Sequence, residues 1–190
     1  MNINFNNIKY YFLTYKNDIR KNHIINEMNK YNLNEVNPIP CSDYISKYQS
    51  GATGFCKMLN MAILDQDKNK PFQPFVLLED DVKKYRNLPN EIEIPNDTDI
   101  LYIGLSKWGI IQKEPACSNA VFFTNIPEYP DIVKIYNMCS THSLIICSIN
   151  GLLTLQKCLM EDFYNNNGYD VTITKNQWHI NTYALKKPLF

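Results

Sequence analysis

The apolar positions fall into short blocks whose spacing switches between extended and helical. Ile8 to Tyr15 is β-branched and aromatic and ends in polar residues, which predicts a first strand. Asn17 or Asp18 can cap a helix to about Tyr31, in which Ile24, Ile25, Met28 and Tyr31 recur at helical spacing. "NEVNPIP" predicts a brief second strand stopped by Pro38 and Pro40. Gly51 and Gly54 lead into a helix through "FCKMLNMAILDQDK", with Phe55, Leu59, Ala62 and Ile63 on one face and Lys57 and Asn60 on another. "FVLLE", the run from Ile100 to Ile103, "NAVFFTN" and "HSLIICS" read as further strands. Ser148 is a cap for a helix from Ile149 to about Tyr164, with Leu152, Leu155, Leu159 and Phe163 as its buried stripe. From Tyr169 onward the β character lacks periodicity and predicts loop with one short strand.

Strands alternating with helices predict one α/β domain over residues 1–190, a mostly parallel central sheet flanked by helices. Uninterrupted runs such as "FVLL" and "ILYI" suit strands buried on both faces. In such sheets ligands sit beyond the carboxyl ends of the strands. Tyr15, the acidic triplet Glu79-Asp80-Asp81 and the stretch from Gly104 to Lys107 all follow directly on predicted strands.

Charge narrows the classes of partner. The 190 residues carry 19 Lys and Arg against 19 Asp and Glu, which gives no basic surface for nucleic acid or a membrane. The six cysteines lack the close pairs of zinc sites, and several lie in apolar runs, so buried free thiols in a reducing compartment are expected. The first residues do not pair a basic start with an apolar run, and no segment approaches the roughly 20 apolar residues of a spanning helix. The expected location is the cytoplasm.

Three adjacent carboxylates repel one another, so holding them against a core requires a compensating cation. Side chains alternate in an extended chain, which turns Glu79 and Asp81 to one side and Asp80 to the other. Such a pair can hold a hard divalent ion, Mn2+ or Mg2+, that in turn bridges to a diphosphate. A solvated acidic turn neutralised by Lys83, Lys84 and Arg86 is the other open reading. Neither a phosphate-binding P-loop nor a dinucleotide fingerprint is present. The Gly51–Gly54 stretch reads equally as a backbone approach to a phosphate or as a tight turn.

"PFVLLEDDV", preceded by "GATGFCKMLNMAI" and followed by "DTDILYIGLS" and "STHSLIICSINGLLTL", resembles glycosyltransferase family 25. The ordered set spans roughly Tyr10 to Lys157 and is more specific than the acidic motif alone. The resemblance implies a GT-A fold, which is Rossmann-related, and a transferase that uses a nucleotide-diphosphate sugar with a divalent ion, usually Mn2+. The short chain and its bias toward Asn, Lys, Ile and Tyr also resemble the small GT-A enzymes of large DNA viruses, whose setting would be host cytoplasm or the virion.

Carried over, the resemblance implies Asp81 as principal metal ligand, Glu79 toward the ribose with a share of the metal, and Asp80 beside it. Thr14 and Tyr15 would meet the base, and Arg20 the nucleotide or its phosphates. His142 matches a Thr-His pair before the last core strand, and His179 would be a third metal ligand from a C-terminal loop. The family's Ser-His pair is replaced by Met58 and Leu59, so its role would fall to Lys57. Inverting transfer needs a carboxylate base at the acceptor hydroxyl, and Asp170 is the candidate, ahead of Glu161 and Asp162 on a predicted solvated helix face. Trp108 is a candidate stacking residue or a lid over the core. The expected activity is transfer of a sugar to a hydroxyl of a glycan or protein. The alternatives are a metal-dependent nucleotidyl or phosphoryl transferase, and a non-catalytic sugar-binding module on a degenerate transferase fold.

Overall fold

The computed structural model describes residues 1–14, 18–104, 121–166 and 168–190. In chain order its elements are β1 (Asn2–Asn4), β2 (Lys9–Leu13), α1 (Asp18–Glu27), β3 (Leu33–Val36), α2 (Lys47–Leu64), β4 (Phe75–Glu79) and β5 (Glu91–Glu93). There follow β6 (Ile100–Tyr102), β7 (Phe123–Asn125), β8 (Ile132–Ile135), β9 (Ser143–Ile146), α3 (Ile149–Asn165), α4 (Tyr169–Asn176) and β10 (Thr182–Leu185), with a 3-10 turn at Gln177–His179 before the last strand. β1 and β5 form a separate antiparallel ribbon. The other eight strands make one sheet in the order β3-β2-β4-β9-β6-β10-β8-β7.

Period-two alternation builds two cores on this sheet. Tyr11, Leu13, Phe75 and Leu77 face α2 and α3 through Phe55, Met58, Leu59, Leu155 and Leu159. Tyr10, Phe12, Val76 and Leu78 face the opposite layer, where α1 contributes Ile24 and the turn after it Met28. Each such side chain, fully buried, contributes roughly 1.5–3 kcal/mol of transfer free energy, so the central strands are the most firmly held part of the molecule.

The sheet is mixed rather than mostly parallel. The pairs β2–β3, β2–β4 and β6–β10 are parallel, whereas β4–β9, β6–β9, β8–β10 and β7–β8 are antiparallel. The apolar run of β9 looked the same as that of a parallel strand. Burial on both faces follows from helices on both sides, whichever way the strand runs.

Three helices differ from the sequence expectation, the first of them α1, which ends at Glu27 rather than near Tyr31. α2 begins at Lys47, four residues before Gly51, because Ser46 and Gln49 form a reciprocal capping box: Gln49 N donates to Ser46 Oγ at 3.2 Å and Ser46 N to Gln49 Oε1 at 3.0 Å. The glycines therefore lie inside the helix. A Cβ on Gly54 would stand 2.2 Å from Leu13 Cδ1, so this position serves close packing of helix on strand, not phosphate approach. The segment from Tyr169, expected as loop, contains α4. Gly168 at φ +96° opens it in a conformation that L side chains rarely adopt. α3 starts as expected, with Gly151 N donating to Ser148 Oγ at 3.0 Å, and ends on Asn166 in the left-handed region at φ 55°.

Cys147 and Cys158 are buried free thiols and Cys56 and Cys139 are half-buried, but Cys41 is exposed. Among the described residues no helix is long and apolar enough to cross a membrane.

Candidate metal centre

Sheet register sets out the site. Leu13 pairs with Glu79 across β2 and β4, and Leu78 pairs with Ser143 across β4 and β9. Ile103 N and Gly104 N both donate to Ser143 O, at 3.1 and 3.3 Å. Thr14, Glu79, Gly104 and the start of β9 thus share one edge of the sheet. Because β9 runs opposite to β4, it is the residues entering β9, not those leaving it, that reach this edge.

Here the chain gathers two carboxylates and an imidazole. Ligand atoms of Glu79, Asp81 and His142 all lie within 4.8 Å of one another. His142 Nδ1 is 3.5 Å from Glu79 Oε2, and the backbones are tied by Glu79 N donating to His142 O at 3.1 Å. The other Glu79 oxygen is spoken for: Oε1 accepts from Thr141 Oγ1 at 2.6 Å and from Tyr169 OH at 3.0 Å. Two donors on Oε1 fix the carboxylate plane and leave Oε2 toward His142 and Asp81.

Burial pushes the Glu79 carboxyl above its ordinary value, opposed by His142 and by the Thr141 and Tyr169 hydroxyls and reinforced by Asp81. A buried carboxylate beside a second carboxylate is a site that gains from a cation. His142 Nδ1 is itself buried without a hydrogen-bond partner among the described residues, as is Thr14 Oγ1 on the neighbouring strand end. The donors fit a divalent ion. Oxygen ligands at ~2.0–2.1 Å from one Mg2+-sized ion stand at most about 4 Å apart, so donors that lie within 4.8 Å of one another would draw in slightly to share one. One imidazole with two carboxylates offers the mixed nitrogen and oxygen donors that divalent first-row ions take.

Asp80 takes the opposite side. It is 2 % exposed, and Arg20 Nη1 lies 3.1 Å from its Oδ1 and 3.8 Å from Asp81 Oδ2. The hydrogen bond it donates to Asp80 is the main reason the Arg20 guanidinium is held still more firmly protonated than usual. Arg20 is thus the described cation beside the triplet, where a solvated-turn reading would use its sequence neighbours. Lys84 Nζ instead binds Glu27 O at 3.1 Å, and Arg86 binds the carbonyls of Lys187 and Pro188.

The other candidates divide. Asp170 stands in the first turn of α4, next to Tyr169, and its Oδ2 accepts from Cys139 Sγ at 3.3 Å. His179 is exposed at the end of the 3-10 turn and is not in the three-donor group, whose third member is His142. Lys57 is exposed on α2 and donates to Asn37 O at 2.9 Å, and is not in the three-donor group. Asp162, expected on a solvated face, is buried because α3 turns that position toward the core. Tyr15 and Trp108 lie outside the described residues. Thr141 and Tyr169 were not foreseen as parts of the site. Thr141 adjoins His142 in sequence, but nothing in the spacing of Tyr169 connects it to a residue ninety positions away.

Compared with protein-family models, with curated proteins and with solved structures, the chain gives no match.

Proposed function

We propose that this protein is a divalent-metal-dependent glycosyltransferase that takes a nucleotide-diphosphate sugar and transfers the sugar to a hydroxyl. The convergence of Glu79, Asp81 and His142 at the carboxyl ends of β2 and β4 carries the reading. The sequence resemblance to glycosyltransferase family 25 selects this chemistry among those that a carboxylate–imidazole site can serve. When bound, the ion would offset charge on a departing diphosphate.

The chain's own residues take the remaining roles. Glu79 Oε2, Asp81 and His142 would hold the ion, and Thr141 and Tyr169 keep Glu79 turned toward its place. Arg20 steadies Asp80 and Asp81 on the far side, within reach of an anionic donor at the same edge. Asp170 accepts the proton of the acceptor hydroxyl, consistent with inverting transfer. The approach of Tyr169 to Glu79 brings the first turn of α4, and so Asp170, to the neighbourhood of the site.

The test is a thermal-shift panel of nucleotide-diphosphate sugars, each with and without Mn2+. The expected result is stabilisation by one donor that requires Mn2+, and its loss in Asp81→Asn with the fold unchanged. Stabilisation by nucleoside triphosphates with no preference for sugar diphosphates would assign nucleotidyl transfer instead. Donor binding without hydrolysis or transfer over a broad acceptor panel would assign a non-catalytic module. Unchanged Mn2+ and donor response in Asp81→Asn would refute the site.

A further inference from the structure

The opposite end of the same sheet holds a hollow of about 350 Å3, where β2 and β4 begin. Its volume lies at the lower end of ordinary small-molecule sites, roughly 300–1,000 Å3. Asp65, just past α2, lines it with one carboxylate oxygen already fixed: Oδ2 accepts from Tyr11 OH at 2.6 Å and lies 3.3 Å from Lys9 Nζ. The Tyr11 ring is fully buried and stands edge-on to Phe75, so the core sets the direction of its hydroxyl. Oδ1 has no protein donor among the described residues. The result is a fixed, ionised acceptor at the wall of a cavity, with the hydrogen bond from Tyr11 holding its carboxyl below the ordinary value.

The rest of the lining selects the ligand. Lys9 and Asp65 neutralise one another, so an anion meets a carboxylate with no uncommitted cation beside it. The side-chain amides of Asn2, Asn7 and Gln73 line the same hollow and make no hydrogen bonds among the described residues, each offering a donor and an acceptor. Phe72, half-buried at the rim and packed on Phe75, adds an aromatic surface. A carboxylate acceptor, neutral amides and an aromatic surface match a ligand with many hydroxyls and one apolar face. We propose that this hollow binds a neutral saccharide, with Asp65 Oδ1 and the surrounding amides taking its hydroxyls and Phe72 its apolar face.

The inference is independent of the metal centre, which lies at the other end of the strands. Glucose, galactose, N-acetylglucosamine and lactose serve as probes against the full chain, by saturation-transfer and amide-shift NMR. At least one probe is expected to bind in the millimolar range, moving the amide signals of Asn7, Lys9 and Gln73 and leaving His142 in place. Asp65→Asn and Phe72→Ala should each weaken binding roughly tenfold, about the effect of one lost polar or stacking contact. Gln73→Ala, whose side chain supports nothing else in the fold, should act in the same direction and guards against misfolding of the first two. Asp81→Asn should leave saccharide binding intact. Absence of binding by every probe at tens of millimolar would overturn the proposal. So would shifts centred on Glu79 and His142 that vanish in Asp81→Asn.

Discussion

Glu79→Gln separates a strained ligand from an ordinary structural ion pair. The substitution keeps shape and keeps an oxygen for Thr141 and Tyr169, but removes the charge. What is lost is the charge-assisted part of two hydrogen bonds, about 1 kcal/mol each, and the attraction to His142. What is relieved is the partial burial of a carboxylate, a cost that reaches several kcal/mol for a fully buried ion and less for this side chain at 16 % exposure, together with repulsion from Asp81. The new amide nitrogen also stands where it can donate to His142 Nδ1, now 3.5 Å from Oε2. The balance favours the variant by about 1–2 kcal/mol, which for a chain of this length raises Tm by roughly 2–8 °C. Calorimetry without added metal should show that rise, and calorimetry with Mn2+ should show the native protein stabilised and the variant not. The pH dependence has the matching sign. Because the folded-state carboxyl lies above its ordinary 4.5, the native protein recovers stability from this group as pH falls toward that value, and Glu79→Gln flattens the slope. A variant that melts lower than the parent would mean that the carboxylate contributes to the fold, and the strained-ligand reasoning would be wrong.

Three other outcomes follow from the packing. Gly151→Ala would bring a Cβ to 2.4 Å from the carbonyl oxygen of Asp99, backbone against backbone, and should cost about 1–3 kcal/mol in urea unfolding despite the better helix propensity of alanine. Tyr11→Phe removes the donor that depresses the Asp65 carboxyl; that contribution is present above the ordinary value of 3.8 and is lost as pH falls below it, so the variant should show a shallower acid limb in pH-dependent melting. Burial pushes the Cys158 thiol up to about 11 and the Cys147 thiol further, so peptide mapping after thiol labelling of the native protein at neutral pH should find Cys41 modified and these two intact until denaturant is added.

The parts of the fold legible in the sequence were those that a single segment specifies. β2, β4, β6 and β9 announced themselves as short apolar runs, and α3 by its stripe and its Ser148 cap. α4 was hidden because Val171, Thr172, Ile173 and Thr174 are β-branched, and Gly168 together with packing on α3 and the sheet overrides that preference. The start of α2 was written in Ser46 and Gln49, but two glycines drew the boundary too late. β1 and β5 are three residues each, with one isoleucine between two polar residues, too short for alternation to mark them. At the site, the carboxylates stood out because charge abutted an apolar run. The arrival of His142 beside them depends on the direction of β9, which residue spacing does not encode, and the contacts of Thr141 and Tyr169 exist only once the sheet is closed.

The reversed strand at the middle of the sheet has a consequence for synthesis. A nascent chain carries both acidic donors once it has passed Asp81, yet it lacks the imidazole until His142 emerges, and the hydroxyl that steadies Glu79 comes later still with Tyr169. On the proposed metal reading, ion capture at full strength would be acquired only near the end of translation. A ribosome-released fragment that stops short of α4 would betray itself by weak manganese retention, and the metal would act as a gauge of completed assembly.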